Sequence, residues 1–333
     1  MKDWITKSER ERLDILRLVA GKTALPDYMI EKDWWVVIAL ESIFTSSLKD
    51  HFAFKGGTSL SKAWQLLNRF SEDIDIVIDK TLFGIKQDEE IGRGKRGRLR
   101  KDAHRYTMEK VIPEIYDQLG KMGIPKSEFN IEMEENASSD QDPTVLYLNY
   151  RPLTEIGNGY TKHQIKIEIG VRALMEPSEE RAVSSYIAQE LKPTEVVSIN
   201  TVSPERTFWE KAMLLHEEFQ QSIDKMNIQR MSRHWYDLDR LRDSGYGTSA
   251  MRDQELFNAI RKHRKVFTKV AGIDYDNLSP KNINIFPPDA KEKDWSSDYD
   301  QMRESYIYLN PPTIEDLKSS LVALTEEFKN LDY

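Results

Sequence analysis

Residues 73–79 read DIDIVID, an apolar strand pattern that carries three carboxylates. Alternation at period two sends Ile74, Ile76 and Ile78 to one face and Asp73, Asp75, Val77 and Asp79 to the other. The stretch before it, FKGGTSLSK at 54–62, joins a short strand at 51–54 to Gly56-Gly57 and to a helix expected over 58–67, with Leu60, Ala63, Trp64 and Leu67 on one side. A solvated surface needs neither the glycine pair nor the isoleucine face, and a plain core forbids the aspartates. A sheet with helices before and between its strands is the expected outcome.

Two aspartates at i and i+2 of a strand share a face, which is how hard oxygen ligands grip a divalent cation that also meets substrate phosphates. The glycine pair ahead of a helix offers unobstructed backbone N–H groups to a triphosphate, and Lys55, Gly56, Gly57, Thr58, Ser59 and Lys62 form the matching donor set. The bland alternative is an edge strand with one solvated face. Asp-x-Asp occurs five times, at 73/75, 140/142, 237/239, 274/276 and 298/300, and surface solvation accounts for the last four. A third acid weighs against the bland reading. In IKIEIG at 165–170 the isoleucines form one face, and Glu168 joins Asp73 and Asp75 if this strand pairs beside 73–79. Three carboxylates around two metal ions suit in-line nucleotidyl transfer. A Lys166–Glu168 pair on a solvated strand is the competing explanation.

Further along, helices are expected over 7–20 and 27–44, the second with Asp27 as N-cap. Residues 84–105 read as a Gly- and Arg-rich loop leading into a helix at 102–120, followed by strands at 129–134, 144–151 and 163–170. From Ser203 the texture turns helical, with Ser203-Pro204 a cap and first-turn pair and Thr313 capping the last helix. The pattern divides the 333 residues into a domain over 1–200 and a helical domain over 201–333. The longest apolar run, at 34–40, is too short for a bilayer, the amino terminus has no apolar signal region, and there is no cysteine; a cytoplasmic protein with no membrane role is expected. A net charge of −8 excludes a field that draws nucleic acid to the whole molecule, yet RGKRGRLRKDAHR at 93–105 carries seven Lys or Arg and one Asp. Arg93, Lys95, Arg96, Arg98, Arg100, Lys101 and Arg105 could hold several phosphates of an RNA, or form a solvated loop.

FKGGTSLSK followed by RFSEDIDI resembles the signature of the AbiEii-type nucleotidyltransferase toxins of type IV toxin–antitoxin and phage-abortive systems, with the MenT toxins as relatives. EKDWWVVIAL at 31–40, IKIEIG at 165–170, PERTFWEKAMLLHEE at 204–218, SRHWYDLDRL at 232–241 and MRESYIYLNPPTIEDL at 302–317 extend the likeness over nearly the whole chain. The resemblance implies an α/β (α+β) fold: a polymerase-β-like nucleotidyltransferase core with a mixed sheet, followed by a helical carboxy-terminal domain. It also implies Mg²⁺ at a two-metal site, an NTP donor, tRNA as acceptor and a cognate antitoxin. Asp73 and Asp75 match the metal-binding pair, Lys211 the motif lysine and Asp237 the motif aspartate, so that the second domain contributes Lys211 and Asp237 to the site. Relatives differ at the third acid, Glu168, and either Thr58 or Ser59 would meet phosphate. Glu31, Lys32 and Asp33 match a family block without a chemical role that physics assigns.

On residue physics, Lys211 is a fixed charge for the triphosphate or a helix-surface lysine, Arg233 and Asp237 an i,i+4 ion pair, Trp235 and Tyr236 base-stacking rings or core aromatics, and His216 and His234 structural. Two rival functions share this chemistry or fold: nucleotidyl transfer to a protein or small molecule, and a non-catalytic RNA- or antitoxin-binding protein.

Overall fold

The computed structural model describes residues 2–86, 89–135, 137–156 and 162–333. The chain forms two compact units, one of residues 1–63 and 71–202, the other of residues 64–70 and 203–333.

The first unit contains a mixed sheet of seven strands among the described residues: β1 (Phe52–Lys55), β2 (Ile74–Ile78), β3 (Phe129–Met133), β4 (Thr144–Tyr150), β5 (Gln164–Gly170), β6 (Ser178–Val183) and β7 (Val197–Val202), in the order β3-β4-β5-β2-β1-β7-β6. β2 is antiparallel to β1 and parallel to β5, so the acidic strand sits at the centre of the sheet rather than at an edge. The isoleucine face of β2 is covered along its length and the other face at Val77, while Asp75 is half-buried. Ile74, Ile76 and Ile78 are buried on one side, and on the other Val77 packs with Ala53, Met175 and Val202. The solvated-edge explanation of the aspartates is thereby excluded. β6 and β7 were not legible beforehand, since SEERAV lacks apolar alternation; β6 is an edge strand, where charged side chains are at home.

A helix over Asp27–Phe44 packs on β5 and β7, and every residue from Met29 to Phe44 is buried. Such all-round burial marks a central helix and not an amphipathic surface one. Its amino terminus corrects one expectation: Pro26 is the N-cap, and Asp27 lies inside the first turn, accepting from the Tyr28 N–H at 2.8 Å. The helix after β1 is shorter and starts earlier than expected, at Gly56–Lys62, so Trp64 and Leu67 lie beyond it. The basic segment departs most. Residues Arg93–Tyr106 form a helix, continued through a π-type turn at Thr107–Val111 into Ile112–Lys121. Arg and Lys are good helix formers, and Leu99 and Ala103, one turn apart, bury a narrow stripe that holds the helix down. Part of the loop expected ahead of it, residues 87–88, lies outside the described residues.

The second unit is helical. Pro204–Phe219 begins under the Ser203 cap, whose hydroxyl accepts from the Arg206 N–H at 3.4 Å, an arrangement worth about 1 kcal/mol. Arg233–Asp243, Gln254–Phe267 and Ile314–Lys329 follow, the last capped by Thr313. Helices at Tyr246–Arg252 and Glu292–Tyr306 were not anticipated. Trp209, fully buried, stacks on Phe328 at 5.2 Å and donates its indole N–H to the Ala250 carbonyl at 2.9 Å. The segment 64–70 is held in this unit by main-chain bonds, from Phe70 N–H to Tyr306 O at 2.8 Å and from Tyr308 N–H to Asn68 O at 3.1 Å.

Candidate active site

Sheet register builds the acid cluster. In the antiparallel β1–β2 pair Lys55 lies opposite Asp75, and in the parallel β2–β5 pair Asp75 lies beside Glu168. Asp75 and Glu168 share a side-chain hydrogen bond, and Asp73 acts on Asp75 through its charge. Burial, together with the like charges of Glu168 and Asp73, pushes Asp75 up to about 7 against the pull of Lys55. Burial would raise Glu168 as well, but its ion pair with Lys166 prevails and holds it below the usual carboxylate range. One proton shared between two acids, with a third acid near, is the expected state of a carboxylate set that has more negative charge than its own cations neutralise.

Among the described residues no three His, Cys, Asp or Glu side chains are already arranged as a metal-ligand group. Glu168 is ion-paired with Lys166 on its own strand and hydrogen-bonded to Asp75 on the neighbouring one. The donor chemistry nevertheless fits Mg²⁺, since hard carboxylate oxygens with surplus negative charge are what that ion takes.

Gly56 shapes the cluster from the other side. Its φ of +82° is a left-handed conformation, and a Cβ there would overlap the Asp75 carboxylate, with Cγ at 2.9 Å and Cβ at 3.2 Å. Only glycine satisfies both conditions. Lys55, Gly56 and Gly57 are half-buried beside the acids.

The remaining donors of the expected phosphate set are placed elsewhere. The Thr58 hydroxyl bonds to the Asp73 carbonyl and to Ser71 Oγ at 2.8 Å, and Ser59 donates to the Gly56 carbonyl at 2.9 Å. Both side chains are buried, so each hydroxyl braces the bend instead of facing outward. Lys62, at the far end of the helix, is buried on Asp33 with its ammonium 3.7 Å from the centre of the Tyr186 ring. It is a structural cation.

That pairing gives the 31–33 block its role. Glu31 accepts from the Leu153 and Thr154 N–H groups at 2.8 and 3.1 Å; Lys32 pairs with Glu72 at 2.6 Å and donates to the Lys162 carbonyl at 2.9 Å; Asp33 takes Lys62 and the Tyr186 N–H. Lys62 precedes and Glu72 follows the excursion of the chain into the second unit. Two adjacent residues of one buried helix therefore grip the points where the chain leaves the first unit and returns to it, the second of them next to Asp73.

In the second unit Asp237 is fully buried and forked by Arg69, at 2.7 Å to Nε and 2.8 Å to a terminal nitrogen, with Lys211 Nζ at 2.8 Å. Its burial would raise the carboxyl, but the two cations hold it well below the usual range. Burial lowers Lys211 in turn, against the pull of Asp237. His234 Nδ1 is 3.3 Å from Lys211 Nζ, and burial plus that charge keep the imidazole neutral. Lys211 is thus not the surface lysine that residue physics suggested, and the 237/239 pair is not solvated: Asp239 accepts from Ser320 Oγ at 2.5 Å. Asp142 likewise is tied to Arg172 at 2.8 Å. Arg69 was missed beforehand, as nothing in LLNRF marks its arginine as half of a buried fork. Trp235 and Tyr236 are core, and His216 accepts from the Asn284 N–H at 3.0 Å, as anticipated.

On the Arg93–Tyr106 helix, Arg93, Lys95, Arg98, Lys101 and Arg105 are exposed and Arg96 and Arg100 half-buried. No helix among the described residues is long and apolar enough to cross a membrane.

The model of the nucleotidyl transferase AbiEii toxins of type IV toxin–antitoxin systems matches residues 38–327, most of the chain, and this places the protein among the nucleotidyltransferases. It belongs to the AbiEii toxin family. Among solved structures, the nucleotidyltransferase toxin MenT4 of Mycobacterium tuberculosis is similar at 16% identity, with 94% of this chain and 97% of that chain covered and a TM-score of 0.47. No curated protein matches.

Proposed function

We propose that this toxin transfers a nucleoside monophosphate from an NTP to the 3′ end of tRNA, releasing pyrophosphate and blocking aminoacylation, with Mg²⁺ held by Asp73, Asp75 and Glu168. The carrying observation is the Asp75–Glu168 pair, in register on adjacent strands and short of positive charge. When bound, Mg²⁺ supplies charge neutralisation at the phosphates and lowers the pKa of the attacking hydroxyl. The chain's own residues do the rest. Asp75, set beside Glu168 by the sheet register, would hold the ion that acidifies the acceptor hydroxyl, whose proton leaves to solvent. Lys55, opposite Asp75 in the sheet, offsets charge on the donor phosphates, and the uncluttered Gly56-Gly57 backbone lets a triphosphate lie close. Lys211 and Asp237 match the family's motif and belong to the required set. The exposed cations of the Arg93–Tyr106 helix carry the tRNA backbone, and a cognate antitoxin silences the activity. These substrates place the reaction in the cytoplasm.

Purified protein incubated with total RNA and each labelled NTP, with and without Mg²⁺, tests the reading. Label on tRNA with one NTP, dependent on Mg²⁺ and lost by at least about 100-fold in Asp75→Ala, is the expected result. Label on protein or small molecules alone, or full activity in Asp75→Ala, overturns it.

A further inference from the structure

The Arg93–Tyr106 helix contains two glycines that the fold does not require. A Cβ at Gly94 or Gly97 would have nothing within 4 Å, and neither residue has a positive φ. Glycine inside a helix costs about 1 kcal/mol relative to alanine, so Gly97 weakens the helix by about that much and Gly94, in the first turn, by less, with no return inside the molecule. Helical geometry puts Gly94 on the outward side with Arg98, Lys101 and Arg105, opposite the buried Leu99 and Ala103, while Gly97 is half-buried on the flank towards the buried His104. The three cations recur every turn, about 4.5–6 Å apart along the axis. A row of cations that begins one turn after a missing side chain lets an anionic backbone come close to the helix at Gly94.

Beside this face lies a cleft of about 510 Å³. Phe83, Ile85 and Leu99 give it an apolar floor, and Gly94, Lys95 and Arg98 form one wall, with Asp102 adding a hydrogen-bond acceptor. The Phe83 ring stands perpendicular to Tyr106 at 5.8 Å. Lys95 pairs with Glu89, and Asp102 with Arg105 at 2.6 Å. An aromatic floor edged by cations is the combination that takes single-stranded nucleic acid, the base stacking and the phosphates lying on the charges. A duplex, whose bases are paired, could use the charges but not the cleft.

We infer that this helix face and cleft bind single-stranded RNA, with phosphates on Arg98, Lys101 and Arg105 and one unstacked base inserted against Phe83. The inference rests on the acceptor being an RNA, and it assigns the element that tells an unpaired end from a duplex. Against a net charge of −8 the binding is local and salt-dependent.

Fluorescence anisotropy of the full chain with labelled oligouridylate and with a blunt RNA duplex tests it. Gly94→Leu fills the cleft from a position with open space around it and strengthens the helix, so folding is not at stake; Phe83→Ala removes the stacking surface. Both are expected to weaken oligouridylate binding roughly 5- to 100-fold and leave the duplex unchanged. Arg98→Ala weakens both RNAs and lowers the salt slope by about 0.7. Unchanged oligouridylate affinity in Gly94→Leu and Phe83→Ala, or equal loss for both RNAs, overturns the inference. So does retained RNA affinity combined with lost binding of polyglutamate, which would make the cleft a site for an acidic protein. If the wild type binds oligouridylate through the cleft yet labels no RNA, the acceptor reading falls and the cleft stands.

Discussion

The Asp75 carboxylate lies where a side chain at residue 56 would have to begin, and Gly56 holds the left-handed φ that lets the bend pass beneath it. The two positions therefore specify one another. Gly56→Ala must either push Asp75 away from Glu168 or open the bend. We expect transfer to fall by at least about 100-fold, with a loss of stability of about 1–3 kcal/mol. Gly84→Ala, also at a positive φ but with open space around it, serves as the control: it should cost stability and spare turnover. Equal activity in the two variants would separate Asp75 from the bend.

The raised pKa of Asp75 makes stability and metal response depend on pH in a defined direction. The group moves from 3.8 to about 7 on folding, so the folded state holds the proton more tightly than the unfolded chain does. Its contribution to stability is greatest below about pH 4, declines as pH rises towards 7, and is lowest above that. Mg²⁺ competes with the proton for the same oxygens. The rise in Tm on adding Mg²⁺ should thus be larger at about pH 8 than at about pH 6. Asp75→Asn, which resembles the protonated acid, should raise the metal-free Tm by a few degrees at the higher pH and abolish the Mg²⁺ response. Differential scanning fluorimetry across pH checks both.

Lys62 and Asp33 form a buried pair, so removing one partner leaves a charge without compensation. Asp33→Ala should destabilise the first unit by about 3–5 kcal/mol, and Asp33→Ala/Lys62→Met should recover a large part of that loss. Hydrogen exchange of the Gly56–Lys62 helix, read alongside urea denaturation, measures the effect. A double variant no more stable than the single would mean that the pair does not act as a unit.

In the second unit Arg69→Met is expected to cost a similar ~3–5 kcal/mol, because the buried Asp237 would lose the guanidinium that forks both its oxygens. Arg69→Lys should recover little, since an ammonium cannot fork both carboxylate oxygens. Asp237 folds with a depressed pKa, so its stabilising contribution is complete above the ordinary carboxylate range and disappears only as pH falls well below it. Exchange protection of the Arg233–Asp243 helix should therefore be flat with pH through mildly acidic conditions in the wild type and reduced at every pH in Arg69→Met.

How much of this could be read beforehand depended on whether the signal was local. The alternation of β2 and the unbroken apolar stretch of the Asp27–Phe44 helix are patterns within one element, and both elements formed over the expected residues. The pairing of β5 with β2 was conditional in the sequence and is met in the structure by Asp75 and Glu168 in register. What escaped notice was set by distant partners. Nothing near Asp33 announces Lys62, nothing near Arg69 announces Asp237, and the charges of β6 conceal a strand whose edge position makes them tolerable. The basic helix was misread for a different reason: glycines suggested a loop, while Leu99 and Ala103, one turn apart, outweighed them.

The excursion at 64–70 has a consequence for dissecting the gene. A fragment starting at residue 203 would lack Arg69 and the main-chain partners of Tyr306 and Tyr308, and would carry a buried Asp237 without the guanidinium that forks it. A fragment ending at residue 202 would keep seven residues whose packing partners had been removed. Neither half is a self-sufficient module, so truncation and recombination at that junction yield damaged pieces.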